Sequence, residues 1–133
     1  MDGGFKLEMK VNTKTTNKIT REQVLTICNT VRSLGLSTGH TGTRIINKVI
    51  QVLIIKDLEI VVLEDIYQEI SIYYPNLSVN RIRKNILYAL QNRDYKKAKD
   101  NFESIFGFEH DEYYFEPKVF MEEVANIIRI ESI

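Results

Sequence analysis

Helix-capping residues recur along this chain and constrain its fold more than any other feature. Thr20 and Gln23 have the spacing of a capping box, in which each side chain accepts a hydrogen bond from the other residue's backbone N–H at the start of a helix. Four more residues are well placed to begin or end helices: Ser78, Asp94, Gly35 and Gly107. Between these caps, apolar residues repeat at the three- and four-residue spacing of an amphipathic helix. The sequence therefore predicts an all-α fold.

This spacing predicts about six helices with short connections. The second helix, which ends near Ile55, should lie at the centre of the core because five apolar residues share one face: Ile45, Ile46, Val49, Ile50 and Leu53. Residues 60–63 could form a strand, but the spacing of apolar residues from Leu63 to Ile70 favours a helix. Pro117 suits the first turn of the last helix, since its φ angle is fixed and that position needs no N–H donor.

The sequence predicts a flexible, basic N-terminal arm, residues 1–19, and one helix-turn-helix domain, residues 20–133. With 133 residues, of which 44% are hydrophobic, the chain can bury a single core. Within the arm, four apolar residues alternate with polar ones in a strand-like pattern: Phe5, Leu7, Met9 and Val11. One strand alone is not stable, so this segment must pack on the domain, pair with another copy or stay loose.

Several features predict a cytoplasmic protein without disulfides. The longest apolar runs, such as Val52–Ile55, are far too short to span a bilayer, and the first residues lack the apolar stretch of a secretory signal. Cys28 is the only cysteine, so no internal disulfide can form. It lies between Val24 and Val31 on an apolar helix face, and we interpret it as a core residue rather than a reactive thiol.

Motifs for catalysis or metal binding are weak. Gly35, Ser37 and Gly39 match the glycine-serine-glycine pattern of a nucleophile elbow, but that motif needs a preceding strand, and here a helix precedes it. His40 and His110 are seventy residues apart, and neither has a further ligand four residues away. We therefore expect no enzyme, no metal site and no cofactor.

The formal net charge is zero, yet charge is strongly segregated along the chain. Residues 1–55 hold eight basic and three acidic residues, whereas residues 56–69 hold one and five. Residues 70–99 hold seven basic and one acidic residue, and residues 100–133 hold two and nine. Basic blocks on a neutral domain can still bind a polyanion, because phosphates respond to the local field. Charge scattered over a solvated surface is the alternative.

The helix expected from Val79 to Asn92 is the most informative element. It follows a sharp turn at Tyr74-Pro75-Asn76, so the two helices around that turn have the outline of a helix-turn-helix. If Ile82, Ile86 and Ala89 are buried, the opposite face and its flanks carry amide, cationic and aromatic groups suited to major-groove contacts. The residues we predict to bind DNA are Asn80, Arg81, Arg83, Lys84, Leu87, Tyr88 and Gln91. An ordinary surface helix with basic residues remains an equal alternative.

Contacts to the phosphate backbone are expected at helix N-termini. The glycine-containing loop before the second helix supplies Thr41 and Thr43, and the cap of the helix starting at Val79 supplies Ser78.

Several segments resemble, in order and spacing, the C-terminal DNA-binding domain of the sporulation master response regulator, stage zero sporulation protein A. The similarity is diffuse and covers roughly Thr20 to Glu131. The segments that carry it are Val31–Leu36 with Gly42 and the helix through Ile50, Asn80–Ile86, Ser104–Gly107 and Phe120–Glu131.

The resemblance implies a six-helix fold, sequence-specific binding to double-stranded DNA and transcriptional control in an endospore-forming bacterium. The family's three base-reading side chains, a glutamate and two arginines, correspond here to Arg83, Lys84 and Leu87, so one cationic reader is kept, as lysine. The family's loop histidine and lysine correspond to Gly39 and Thr41, which weakens phosphate contact there. The family also has a receiver domain ahead of this one, and we expect this chain to lack it.

Two hypotheses on function therefore stand. The first is a DNA-binding transcriptional regulator, with a homodimer on DNA as one arrangement and most affinity coming from Arg81, Arg83 and Lys84. The second is a protein-interaction module that kept the fold and lost DNA recognition, with Leu87 and Tyr88 forming the patch for a protein partner.

Overall fold

The computed structural model describes residues 18–57 and 59–131, which form six α-helices and one short 3₁₀ helix. The elements are α1 (Arg21–Ser33), α2 (Thr41–Lys56), α3 (Leu63–Tyr73), α4 (Val79–Gln91), α5 (Tyr95–Phe106), the 3₁₀ helix (Glu112–Phe115) and α6 (Pro117–Glu131). These ranges contain no strand, which confirms the all-α prediction for this part of the chain. Residues 1–17 of the predicted arm, including the strand-like pattern from Phe5 to Val11, lie outside the described residues. Ile19, the last residue assigned to the arm, is partly buried against the core.

The expected caps are present at the starts of α1, α4 and α5 and at the end of α5. At α1 the capping box is complete: the Thr20 N–H donates to Gln23 Oε1 at 2.9 Å, and the Gln23 N–H donates to Thr20 Oγ1 at 3.0 Å. The side chains of Ser78 and Asp94 accept backbone N–H groups at the starts of α4 and α5. Gly107 ends α5 with a φ of 88°, a left-handed conformation that glycine adopts without steric cost.

Helix α2 is the centre of the molecule. It packs against α1, α3, α4 and α6, so it is enclosed on most sides. All five of the apolar residues predicted to face the core are buried, and Val52, Ile54 and Ile55 are buried as well. A helix that is apolar around most of its circumference can only be stable inside a shell of other helices.

Two expectations about α1 and α3 are refined by the structure. The buried line of α1 runs through Ile27 and Val31, so Cys28 lies at its margin, half-buried, and its Sγ accepts a hydrogen bond from Asn47 Nδ2 at 3.6 Å. Residues 59–62 form no strand, and α3 begins at Leu63 as the helical spacing favoured. Ile60 is 80% exposed, because this connection runs over the surface.

A membrane-spanning helix was not expected, and none of the helices in residues 18–57 and 59–131 is both long and apolar enough to cross a bilayer.

Gly42, in the first turn of α2, sits directly on the backbone of α4. A Cβ atom at this position would overlap the carbonyl oxygen of Asn85 and lie 3.0 Å from the Cβ of Ala89. The close approach of the two helices thus depends on the absence of a side chain at Gly42. Gly39, in the loop before α2, has room, since a Cβ there would meet only the flexible Ser37 side chain at 3.3 Å.

We predict that Gly42→Ala destabilises the protein by about 1–3 kcal/mol or more, because two backbones must separate to accept one methyl group. The matched control, Gly39→Ala, should change the free energy of unfolding by less than about 0.5 kcal/mol. Urea unfolding followed by circular dichroism measures both. Equal stability of the two variants would contradict the α2–α4 contact described above.

Candidate functional site

The solvent-exposed side of α4 carries most of the residues that the sequence predicts to be functional. Ile82, Ile86, Ala89 and Leu90 are buried, and their 100° spacing leaves the other side of the helix in solvent. We call this side the outer face of α4. All seven residues predicted to bind DNA are exposed on it: Asn80, Arg81, Arg83, Lys84, Leu87, Tyr88 and Gln91.

All the charged residues of the packed pair α2 and α4 are basic. These two helices contain six basic residues and no acidic residue: Arg44, Lys48, Lys56, Arg81, Arg83 and Lys84. Helix α3, which packs against both, carries Glu64, Asp65 and Glu69. Basic and acidic residues, which lie in separate blocks of the sequence, thus lie on separate but neighbouring helices in the fold. Two of the six basic residues, Lys56 and Arg83, pair with α3 carboxylates.

Arg83 is held by its neighbours. Its Nη2 lies 2.7 and 2.8 Å from the two carboxylate oxygens of Glu64, and its Nη1 donates to Asn80 Oδ1 at 3.1 Å. The sequence predicts Arg83 as one of the main sources of affinity but does not show that Glu64 pairs with it. The only available signal was an acidic residue in the first turn of the preceding helix, and its pairing depends on how α3 and α4 pack. Arg83 is thus partly neutralised within the fold.

Tyr67 lies one turn beyond Glu64 on α3, on the buried side. Burial raises the pKa of its hydroxyl to about 12, with Arg83 acting to lower it and Glu64 to raise it. The phenol therefore stays neutral at physiological pH and leaves the charge balance of the Glu64–Arg83 pair unchanged.

Arg81 and Lys84 differ from Arg83. Among the described residues neither forms an ion pair, and both are exposed. Together with Asn85 and Tyr88 they line an open depression of about 470 Å³. Tyr88 borders it, and its ring meets the ring of His40 edge-on at a centroid distance of 5.2 Å. The depression therefore lies beside the loop that leads into α2.

The three residues expected to touch phosphates have different surroundings. Thr41 is exposed at the first turn of α2. Thr43 is only 1% exposed, so its hydroxyl does not reach the surface, and its assignment as a phosphate contact is not supported by its position. Ser78 is exposed, but its Oγ already accepts the Arg81 N–H at 3.2 Å as the cap of α4. Arg44, which sequence reasoning did not list, is exposed and donates to the Thr38 carbonyl at 2.7 Å, tying the loop to α2.

The far end of α4 is anchored by Arg93, the side chain of which is 8% exposed. Its guanidinium lies 3.7 Å from the centroid of the Phe115 ring, bonds both oxygens of Glu112 and donates to the Leu90 carbonyl. One residue later, the Asp94 N–H donates to the Gly35 carbonyl at 2.8 Å. The C-terminal end of α4 is thereby joined to both the 3₁₀ helix and the loop between α1 and α2.

The loop motif considered for catalysis has the geometry of a turn. Ser37 is exposed, and its Oγ accepts the Gly39 N–H at 3.1 Å. His110 is instead surrounded by aromatic rings, including Phe102 at 5.2 Å, and its Nε2 lies 3.5 Å from Glu112. In the described ranges, no three side chains of the metal-binding types come together.

Comparison of the chain with protein-family models, curated proteins and solved structures finds no match.

We predict that the Glu64–Arg83 pair contributes at most about 1 kcal/mol to stability, because both side chains are about half exposed, 49% and 48%. A double-mutant cycle with Glu64→Ala and Arg83→Ala, measured by urea unfolding, gives the coupling energy, which should fall further in 1 M salt. A coupling of several kcal/mol that is insensitive to salt would contradict the exposed character of this pair.

Proposed function

We propose that this chain is a sequence-specific DNA-binding transcriptional regulator of the sporulation-regulator effector type, acting in the cytoplasm, with α4 as its recognition helix. The observation that carries the proposal is the combination of an acid-free pair of helices, α2 and α4, with an outer face of α4 that presents cationic and amide side chains. The resemblance over residues 20–131 supports the same assignment. We propose binding, rather than catalysis, as the activity.

Electrostatics supplies the sequence-independent part of the binding. Each phosphate that a lysine or arginine neutralises releases condensed counterions, so affinity depends steeply on salt. Arg81 and Lys84 are suited to this role, because both are exposed and neither is paired with a carboxylate among the described residues. Arg83 contributes less, because Glu64 already balances its charge at 2.7 Å.

Base reading is assigned to the row of side chains along the outer face. Gln91 and Asn80 have the amide groups that pair with adenine in the major groove, and Lys84 can donate to guanine acceptors. Asn80 accepts a hydrogen bond from Arg83, which is itself paired with Glu64. These contacts fix the orientation of the Asn80 amide before DNA binds.

The first turn of α2 is assigned to the phosphate backbone. Gly42 lets this turn lie against α4, so the exposed Thr41 and the helix N-terminus are held near the recognition helix. A helix N-terminus favours anions through its N–H groups and dipole. Because Gly42 packs on α4 and Thr43 is enclosed, the phosphate contact at this turn is assigned to the exposed Thr41.

Salt titration of DNA binding tests the proposal. The double variant Arg81→Ala, Lys84→Ala should keep its fold and lose about two units of log–log salt slope, since each side chain contributes about one. Arg83→Ala should lose less than one unit, and Glu64→Gln should steepen the slope, because it releases the Arg83 charge. Fluorescence anisotropy with duplex DNA at several salt concentrations measures these slopes.

The control is Lys118→Ala, which removes an exposed lysine from α6, outside the α2–α4 pair, where its Nζ lies 3.8 Å from a carboxylate oxygen of Glu122. Its salt slope should equal that of the unchanged protein. An unaltered slope in the Arg81, Lys84 double variant, with folding verified by thermal melting, would defeat the proposal.

A second candidate is favoured by one specific observation. Leu87 is 43% exposed and Tyr88 is 54% exposed, side by side on the outer face. An apolar and an aromatic side chain together form a plausible anchor for a protein partner. Such a contact would resist salt, whereas DNA binding weakens with it, so the same titration separates the two functions.

A further inference from the structure

Leu87 occupies an unusual place for a leucine. It is 43% exposed although the other aliphatic residues in the second half of α4, Ile86, Ala89 and Leu90, are fully enclosed. Asn80, Lys84, Leu87 and Gln91 follow one another at intervals of four, three and four residues, which places them in one row along the helix. An apolar group therefore stands between a cation and an amide in the middle of the outer face.

The neighbouring Tyr88 has a different environment. Its ring contacts the His40 ring edge-on at 5.2 Å, so it is engaged with the loop before α2. Leu87 is thus the apolar group in the central row, flanked along that row by Lys84 and Gln91.

We propose that Leu87 is a specificity-determining residue that recognises thymine through its C5-methyl group. The inference rests on the proposed DNA-binding function and names one base that the outer face of α4 selects. The charge of the α2–α4 pair makes duplex DNA the matching occupant of this face, because the two helices carry six basic residues and no acidic one.

The chemistry of the major groove leaves one group for a leucine to recognise. Guanine, cytosine and adenine present hydrogen-bond donors and acceptors there, and a leucine opposite them leaves those groups unpaired. Thymine also has an acceptor there, O4, but it alone adds a C5-methyl group, which gains from apolar contact as it leaves water. Lys84 and Gln91, one turn away on either side, can bond the adjacent bases, so the thymine lies between two polar contacts.

Replacing thymine by uracil in duplex DNA tests this inference, because uracil keeps every hydrogen bond and lacks only the methyl group. A preferred duplex is first selected from a random-sequence library with the whole chain. Each thymine of that duplex is then replaced singly by deoxyuridine, and the Kd is measured by anisotropy. One replacement should weaken binding about fourfold, the fold-change expected for losing burial of one methyl group.

The protein variants assign this effect to Leu87. Leu87→Ala should weaken binding to the thymine duplex by a similar or larger factor and should bind the thymine and uracil duplexes equally at that position. Leu87→Met keeps an apolar side chain of similar size and should retain most of the difference. The matched control is Leu25→Ala, which shortens a 51% exposed leucine on α1 and should leave the difference unchanged.

The outcomes separate the inference from the proposed function. Selective, salt-dependent binding in which no thymine methyl matters, or in which Leu87→Ala keeps the full thymine preference, overturns the inference and leaves the DNA-binding proposal standing. If no duplex is selected at any salt concentration, both fail, and the exposed Leu87 and Tyr88 are left to a protein partner. Thermal melting of each variant shows that any loss of binding is not a loss of fold.

Discussion

The close approach of α2 and α4 at Gly42 is the contact on which the rest of the molecule depends. A side chain at this position would overlap the Asn85 carbonyl, so only glycine lets the first turn of α2 rest on the backbone of α4. This contact buries one side of α4 against the central helix and turns the opposite side outward. It also places the His40 ring, just before α2, against Tyr88. The close packing of α4 against the start of α2 thus depends on one steric requirement.

Both ends of α4 are held by polar contacts that the apolar core could not provide. At its start, Ser78 caps the helix and Glu64 bonds Arg83 from α3. At its end, Arg93 lies over Phe115 and bonds Glu112, while the Asp94 N–H donates to Gly35. The guanidinium of Arg93 is nearly buried, so its carboxylate and carbonyl partners are needed to offset the loss of hydration. Residues from three other parts of the fold, α3, the 3₁₀ helix and the loop after α1, therefore fix the position of α4.

The net charge of the protein is zero, but basic and acidic residues lie on different helices. Acidic residues lie mainly on α3, around the 3₁₀ helix and on α6, while α2 and α4 contain none. Because α3 packs against both basic helices, its Glu64 and Glu69 each neutralise one cation at the edge of the basic pair. Arg81 and Lys84 form no ion pair among the described residues, so no carboxylate there neutralises their charges. The proposed DNA surface is therefore narrower than the basic residues alone would suggest, and it centres on the row from Asn80 to Gln91.

Local signals in the sequence determined where α1, α4 and α5 begin and where α5 ends. The Thr20–Gln23 box, the caps at Ser78 and Asp94 and the left-handed Gly107 act within a few residues, so they could be predicted without the fold. The exposure of the outer face of α4 was equally predictable, because it follows from helical periodicity. Only the tertiary structure decided that Glu64 forms an ion pair with Arg83, that Thr43 is buried and that Cys28 lies at the margin of the core. Those outcomes depend on which helices pack together and how closely, and residues nineteen positions apart, such as Glu64 and Arg83, meet only through that packing.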